Sequence, residues 1–541
     1  MLNKLINLGR KIFKKKSVET VNADTKNTSP LTSSLKRNID DLKHMVGLSG
    51  DVVVRRFKVS GDKNTDAAVV YVDGLADKDR ILYSIMNTLA LNTQLPGLSD
   101  GLTKENLENA ILEKGFVSSE VKHAVDWVSI IDGIFSGDTV LLVDGIKGAF
   151  IIETRKWVDR GVQENTSEQV VRGPRDSFSE TLRLNTMLLR RRIKSPKLQL
   201  ESMKVGSLTK TDIVIAYIKG IVNPKLVEEI RSRINRIETD SILETNMLEE
   251  FIEDSPWSII PQIRNTERPD KTAAHLLEGG AAIIVDGTPV VLLLPTTFWQ
   301  FLHSPDDHYE RVYTTFLLRA LRLLALVTAL TLPSFYIAIT SYHHEMIPQG
   351  VLEVIIASRR GVPFPVLVEA FIMEFILEII REAGVRLPRN VGQAISIVGA
   401  LVLGQAAIQS KLASPITVTV VSLTAVSNFA IPSFSAALTI RFMRFGLMIV
   451  SGTFGIFGFI SVIFVIMVHL CSLRSFGVPF LAPLTPLIPA DLRDSQVRLP
   501  MWLLSRRPKT FGPKDQTRQK SGLKPGPYQK DGQPKGEDKD A

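Results

Sequence analysis

Across the first 300 residues, short apolar runs of strand length alternate with stretches whose apolar positions recur every three to four residues. DVVVRRFKV (51–59) and AAVVYVDG (67–74) predict strands, with helices over 77–91 and near 103–114. TVLLVDG (139–145) and GAFIIETRKW (148–157) predict a hairpin turning at Gly145 and Gly148. The order then returns. DIVIAYIKG (212–220) leads through Asn223-Pro224 into the helix KLVEEIRSRINRI, and AAIIVDG (281–287) with PVVLLLP (289–295) repeats the hairpin. The Val-Asp-Gly turns at 143–145 and 285–287 mark an internal repeat. The expected fold class is an α+β soluble region of two α/β subdomains, 35–160 and 161–300, followed by an all-α polytopic membrane domain.

Between the repeats, GPRDSFSETLRLNTMLLRRRI (173–193) predicts a helix introduced by Gly-Pro, with Asp176 placed to cap it and Glu180 in its first turn. Its end, Arg190 to Arg192, reads either as a contact for phosphate, anionic lipid or another subunit, or as a solvated basic helix end.

Beyond residue 310 the pattern changes to long apolar runs. The expected membrane domain covers 314–471, with spans at 314–340, 391–410, 415–431 and 445–470, each near the length of roughly 20 residues that crosses hydrocarbon. Arg319 and Arg322 are expected to snorkel to the head groups, and Pro333 to kink the first span. VLVEAFIMEFILEIIREAG (366–384) is apolar on most faces yet carries Glu369, Glu374, Glu378 and Glu382. Glu374, Glu378 and Arg381 share one stripe, so Glu374 and Glu378 are candidate ion-path or interface carboxylates on a helix at the interface or against protein. ALTIRFMR (437–444) is expected at a membrane boundary. Within 391–410, Gly392, Ser396, Ala400 and Gly404 form a small-residue packing stripe. Ile395, Val398, Val402, Gln405 and Gln409 form a second face that turns polar toward one end, the pattern of a pore with a hydrophobic gate at Val398 and Val402. The plain alternative is a buried helix with hydrogen-bonded glutamines. Gly452, Gly455 and Gly458 suit helix packing.

Charge sharpens this picture. The net charge of +9 sits largely in the leader MLNKLINLGRKIFKKK and in the tail from Arg506, which points to anionic lipid at a cytoplasmic surface and away from nucleic acid. The leader and linker (1–34) read as an interfacial amphipathic helix or a basic leader, without signal-peptide features, and 503–541 as a basic disordered tail. Cys471 is the only cysteine, which leaves no intrachain disulfide. No phosphate loop, nucleophile elbow or metal-spaced motif occurs, so neither an enzyme nor a cofactor is expected. His343, His344 and Glu345 read as a polar turn, and Asp306, Asp307 and His308 as a capped, solvated loop. The extended Arg268 before Pro269 sets up a helix over KTAAHLLEG that Asp270 is placed to cap and Gly279 to end, a structural role.

GPRDSFSETLRLNTMLLRRRI, NTERPD (265–270), LLEGGAAIIVDGTPVVLLLP, SPDDHYER (304–311), REAGVRLP (381–388) and VGQAISIVGALVLGQAA (391–407) resemble the A subunits of GerA-type spore germinant receptors, over about 35–480. The resemblance implies the inner membrane of dormant spores and two partners, a transporter-like B subunit and a lipoprotein C subunit. It also implies a homo-oligomer, a pentameric ring forming a nutrient-gated channel for monovalent cations. A related subunit of the dipicolinate-release apparatus and a secondary transporter component are the alternatives. Basic ends and four spans place both termini and the soluble region on the cytoplasmic side, with 341–350 on the other face.

Overall fold

The structure, a computed structural model, describes residues 31–59, 65–87, 89, 111, 120–156, 168, 170–386, 402–520 and 522–526. The leader before 31, nearly all of the expected helix at 103–114, and 391–401 with Gly392, Ile395, Ser396, Val398 and Ala400 lie outside them. The chain divides into two compact units, Met1–Asp159 with Ile193–Pro196, and Arg160–Arg192 with Lys197–Ala541.

The first unit opens with helix α1 (Leu35–Val46). Strands β1 (Val52–Lys58) and β2 (Asp66–Val72) follow, then a helical segment whose turn Lys78–Arg80 runs into the π-helical stretch Ile81–Met86. Strand β3 (Val121–Ala124), helix α2 (Trp127–Ser136) and strands β4 (Thr139–Val143) and β5 (Ala149–Ile152) complete it. The sheet order is β1-β2-β4-β5-β3, and every ladder is antiparallel. The runs of Val, Ile and Ala that predicted strands are buried on both faces, as β2 and β4 show.

The second unit repeats the plan. Helix α3 (Leu182–Arg192) precedes β6 (Leu198–Val205) and β7 (Thr211–Ile218), then α4 (Pro224–Asn235) and α5 (Thr245–Ile252). Strand β8 (Arg264–Thr266), α6 (Pro269–Leu277), β9 (Ala281–Val285) and β10 (Val291–Leu294) close the series, in the order β6-β7-β9-β10-β8 and again antiparallel throughout. Antiparallel ladders make each subdomain α+β in character. The helix at 173–193 is the first element of this second repeat and not a linker between two.

The paired Asp-Gly turns have the same task in both units. Asp144 accepts the Leu35 N–H at 2.9 Å and Gly145 N–H donates to Ser33 O at 2.7 Å. Asp286 accepts the Leu182 N–H at 3.0 Å and Gly287 N–H donates to Glu180 O at 2.8 Å. Each turn therefore satisfies the exposed amino end of the helix that opens its repeat. That role displaces Asp176, which lies outside α3 and bonds Arg192 Nη2 at 2.5 Å.

The helical part of the second unit contains α7 (Val312–Tyr342), α8 (Gln349–Ser358), α9 (Val366–Arg386), a helical stretch at 402–409, α10 (Pro415–Phe429) and α11 (Phe434–Ser472). Of these, α7 with 31 residues and α11 with 39 are long and apolar enough to cross a membrane. The expected span at 415–431 is only a 15-residue helix, and Pro333 sits buried inside α7 without interrupting it. ALTIRFMR is continuous with the expected span at 445–470 in α11.

α11 is broken once. At Gly455 φ is 61° and ψ −143°, a conformation closed to side chains with a Cβ, and a Cβ there would meet the His343 ring at 2.9 Å. The helix folds back at this point. Thr439 Oγ1 on one arm donates to Ile259 O at 3.1 Å, while His469 on the other bonds Ser258 Oγ at 3.0 Å. Ala436 and Ile466 meet in one apolar cluster with Ile260, Phe301 and Phe480. The arms are about 31 and 25 Å long at 1.5 Å per residue, and the turn packs beside Tyr342 at the far end of α7. α9 runs back along α7, since Ala370 packs on Ile337 and Glu374 reaches the level of Ala329 through Arg444.

Residues 503–520 are not a free tail. Arg507 Nε donates to Leu277 O at 2.9 Å, Lys514 N–H to Ile221 O at 2.8 Å, and Arg518 pairs with Glu278 at 3.1 Å. The arginines that made this segment look solvated satisfy the carbonyls and carboxylate at the end of α6.

Candidate functional site

Three motifs that are far apart in sequence meet at the start of α6. Arg268 is extended, with φ −102° and ψ 120°, because Pro269 follows it. Its side chain is buried and donates to Pro174 O at 2.8 Å, Glu168 O at 3.2 Å and both oxygens of Asp270. Asp270 lies in the first turn of α6, where its Oδ1 accepts the Lys271 N–H at 2.9 Å, so the expected satisfaction of the helix start is there, from inside the first turn. It also accepts from Arg268 at 2.8 Å and from the Tyr309 hydroxyl at 2.6 Å. Burial pushes its carboxyl up, but the Arg268 and Tyr309 hydrogen bonds and the Arg268 charge outweigh that and hold it below the ordinary carboxylate value. The Tyr309 phenol is raised in turn, by burial first and then by Asp270. Tyr309 also closes on Gly173, where a Cβ would lie 2.7 Å from the ring. GPRD, TERPD and SPDDHYER thus form one clasp, which leads directly into α7.

In the loop before α7, Asp307 is withdrawn from solvent while His308 beside it is exposed, and Arg319 and Arg322 do not snorkel. Asp307 is fully buried and takes Arg319 Nε at 3.1 Å and Arg322 Nη1 at 2.7 and 2.9 Å. Arg319 Nη1 also reaches Asp494 O at 2.6 Å, and Arg498 donates to His308 O at 3.0 Å and Glu310 O at 2.5 Å. The first turns of α7 are therefore bolted to the α/β unit and to the chain after α11. In the sequence, two arginines a turn apart in an apolar run carried this signal, but the same spacing also fits interfacial snorkelling.

A cavity of about 180 Å³ opens beside this bolt, lined among others by Arg264, Lys271, His275, Glu278, His303 and Arg319. Burial holds the His275 imidazole down to about 4, with the Arg264 charge adding to it against the Leu294 carbonyl at 2.9 Å. Burial and the Asp494 charge push Glu278 up to about 7 despite Arg518. Burial, then Arg264, lowers Lys271 to about 8 against its 2.9 Å pair with Glu168.

The stripe on α9 is assembled as expected, but every carboxylate on it is paired inside the bundle. Glu369 binds Arg359 at 3.0 Å and caps α10 through Ser414 N at 3.0 Å and Thr417 Oγ1 at 3.1 Å. Glu374 pairs with Arg444 at 2.7 Å, and Glu378 with Arg441 at 2.6 Å and with Arg381. Arg441 and Arg444 were the missed partners, three apart on one helix as Glu374 and Glu378 are four apart on the other. Gly452 and Gly455 do serve packing, against Leu367 and Tyr342. On the stretch proposed as a pore face, Val402, Gln405 and Gln409 are exposed in the single chain, and Gly404 is half-buried. The remaining residues of both faces lie outside the described residues. His343 ends α7 and His344 and Glu345 form a turn; among the described residues no three His, Cys, Asp or Glu gather as a metal site.

Twin antiparallel α+β units and an apolar helical region anchored to the second by buried ion pairs define a membrane-associated class of protein. The profile of the Bacillus/Clostridium GerA spore germination protein matches residues 40–510, and the chain belongs to that family. It is 41% identical to Spore germination protein KA of Bacillus subtilis (strain 168), over 92% of this chain and 90% of that one. Spore germination protein GerLA of Bacillus cereus is 35% identical over 90% of this chain and 97% of its own length. The N-terminal domain of the A subunit of the Bacillus megaterium spore germinant receptor GerK3 is 36% identical. That alignment covers 50% of this chain and 98% of that domain, with a TM-score of 0.41.

Proposed function

We propose that this chain is the non-enzymatic A subunit of a germinant receptor, in the inner membrane of dormant spores. Copies of it assemble with one another, five being the expected ring, and with a transporter-like B subunit and a lipoprotein C subunit. The assembly opens to monovalent cations when nutrient binds. The observation that carries this reading is the family match across residues 40–510, which includes both α/β units and the helical region together.

Several features support a multi-pass arrangement with the α/β units on the cytoplasmic side. α7 leads away from the second unit, α9 returns, and the two arms of α11 lead out and back. Each arm of α11 is within the span length of roughly 17–25 residues. Trp257, 99% exposed, adjoins Ser258, which bonds the foot of the α11 hairpin, the level at which tryptophan favours a membrane interface. The exposed Val402, Gln405 and Gln409 supply a face left open for water or for another copy, as a pore lined by Ile395, Val398, Val402, Gln405 and Gln409 requires.

The test is release of monovalent cations from spores of a deletion strain carrying either the parent gene or Val402→Ser. Parent complementation restores nutrient-triggered release, and Val402→Ser leaks before nutrient is added. Spores that germinate normally on every nutrient without the gene would overturn the receptor reading. Parent-like conduction by Val402→Ser would remove only the gate.

A further inference from the structure

We propose that the cavity at the foot of α7 is a binding site for a small oxyanion, a carboxylate or a phosphate group, held by Arg264. Arg264 projects from β8, its backbone N–H fixed by Thr296 Oγ1 at 3.2 Å. Its guanidinium makes one hydrogen bond, to His303 O at 3.1 Å, and no carboxylate among the described residues lies within 4.0 Å of it. The other cations around the cavity are committed. Lys271 is taken by Glu168, and Arg319 and Arg322 share the single carboxylate of Asp307. Arg319, 7% exposed, still has Nη2 buried without a hydrogen-bond partner.

Arg264 is therefore the lining cation left without an ion-pair partner among the described residues, while Asp491 and Asp494 line the same space. Arg264 is partly exposed to this space, and a guanidinium presents a planar fork matched to a carboxylate or phosphate. His275 and His303 do not supply the balance, since both are held neutral by burial and face backbone carbonyls. Nor does Glu278, which Arg518 occupies. One acidic atom faces the same space without a partner: Asp494 Oδ1. It marks the place for a hydrogen-bond donor on the ligand. A volume of about 180 Å³ holds such a molecule, since on the same measure a single water needs only about 10–15 Å³. Because α6, α7 and the chain after α11 all wall the cavity, an occupant would tie the α/β unit to the root of the first long helix.

Isothermal titration calorimetry on the full-length protein in detergent micelles tests this with acetate, inorganic phosphate and glycine, each against sodium chloride at matched ionic strength. At least one probe should bind saturably, and Arg264→Met should weaken it at least tenfold. Acetate or phosphate alone identifies which oxyanion fits, and tighter glycine binding places an ammonium at Asp494. Ala274→Phe, at the exposed rim, blocks the space while keeping every charge and should abolish binding with the fold intact by circular dichroism. Absence of saturable binding by all three probes, or parent-like binding by both variants, would leave a water-filled cavity and overturn the site. Either result is independent of whether the chain is a receptor subunit.

Discussion

Replacing Asp270 shows by magnitude whether its buried ion pair outweighs its bond to the first turn of α6. A lost cap costs about 1 kcal/mol. The structure gives a larger figure, because Arg268 is 1% and Asp270 7% exposed at the side chain, and Asp270 also accepts the Tyr309 hydroxyl. Asp270→Ala leaves a buried guanidinium with only the carbonyls of Pro174 and Glu168, and breaking such a pair costs about 3–5 kcal/mol. That is a large part of the 5–15 kcal/mol typical of a folded domain. The assay is denaturant unfolding of the full chain in micelles, following the second unit by its tryptophans. Removing both charges with Arg268→Met and Asp270→Leu should recover more than half of the single-variant loss. The pH profile gives a second readout. Asp270 has a depressed folded value, so its stabilisation is present above the unfolded value of about 3.9 and disappears as pH falls through the folded one. Asp270→Asn should lack that acid-side loss. A cost near 1 kcal/mol for Asp270→Ala, with no recovery in the double variant, would refute the ion-pair account.

Three further outcomes follow from the same geometry. Gly173→Ala, which puts a Cβ 2.7 Å from the Tyr309 ring at φ +131°, should cut the yield of folded protein, whereas Gly220→Ala, with open space around it, should not do so to the same degree. Glu249 is buried beside Glu253, Glu244 and Glu250, and burial first, then those charges, push it up to about 8 from 4.5. Its folded form keeps the proton longer, so the protein loses stability as pH rises from 4.5 to 8; Glu249→Gln should melt higher than the parent at pH 8 and alike at pH 4. Glu374→Leu strands Arg444 inside the helical bundle and should cost about 3–5 kcal/mol, read as detergent-solubilised folded protein, with Arg444→Met added on top restoring most of it.

The antiparallel ladders show where a linear reading stops. Runs such as AAVVYV and AAIIV predicted strands because β-branched and small apolar residues fit a pleated, buried surface. Their pairing direction is not encoded in those runs. It follows from β3 and β8, short strands at the far edge of each sheet that bring α2 and α6 back so that β4 and β9 enter antiparallel to β2 and β7. The repeat was legible from two Val-Asp-Gly turns, yet their purpose, closing the amino end of α1 and α3 across more than a hundred residues, exists only in three dimensions.

What the sequence determined by itself is whatever depends on neighbours along the chain. It marked most of the strands, the switch to membrane-length apolar helices, the extended Arg268 before Pro269, the shared stripe of Glu374, Glu378 and Arg381, and a family resemblance carried by long motifs. What only the tertiary structure decided is which charge meets which. Arg319 and Arg322 could satisfy water or a carboxylate with equal ease as a string of letters; the folded chain puts Asp307 between them and excludes the water. The same holds for Arg441 and Arg444 opposite the α9 glutamates, for the basic stretch at 503–520 wrapped on α6, and for Gly455, whose positive φ turns one apolar run into two opposed arms. A buried charge must find its counter-charge through space, and separation along the chain places no bound on where that partner lies.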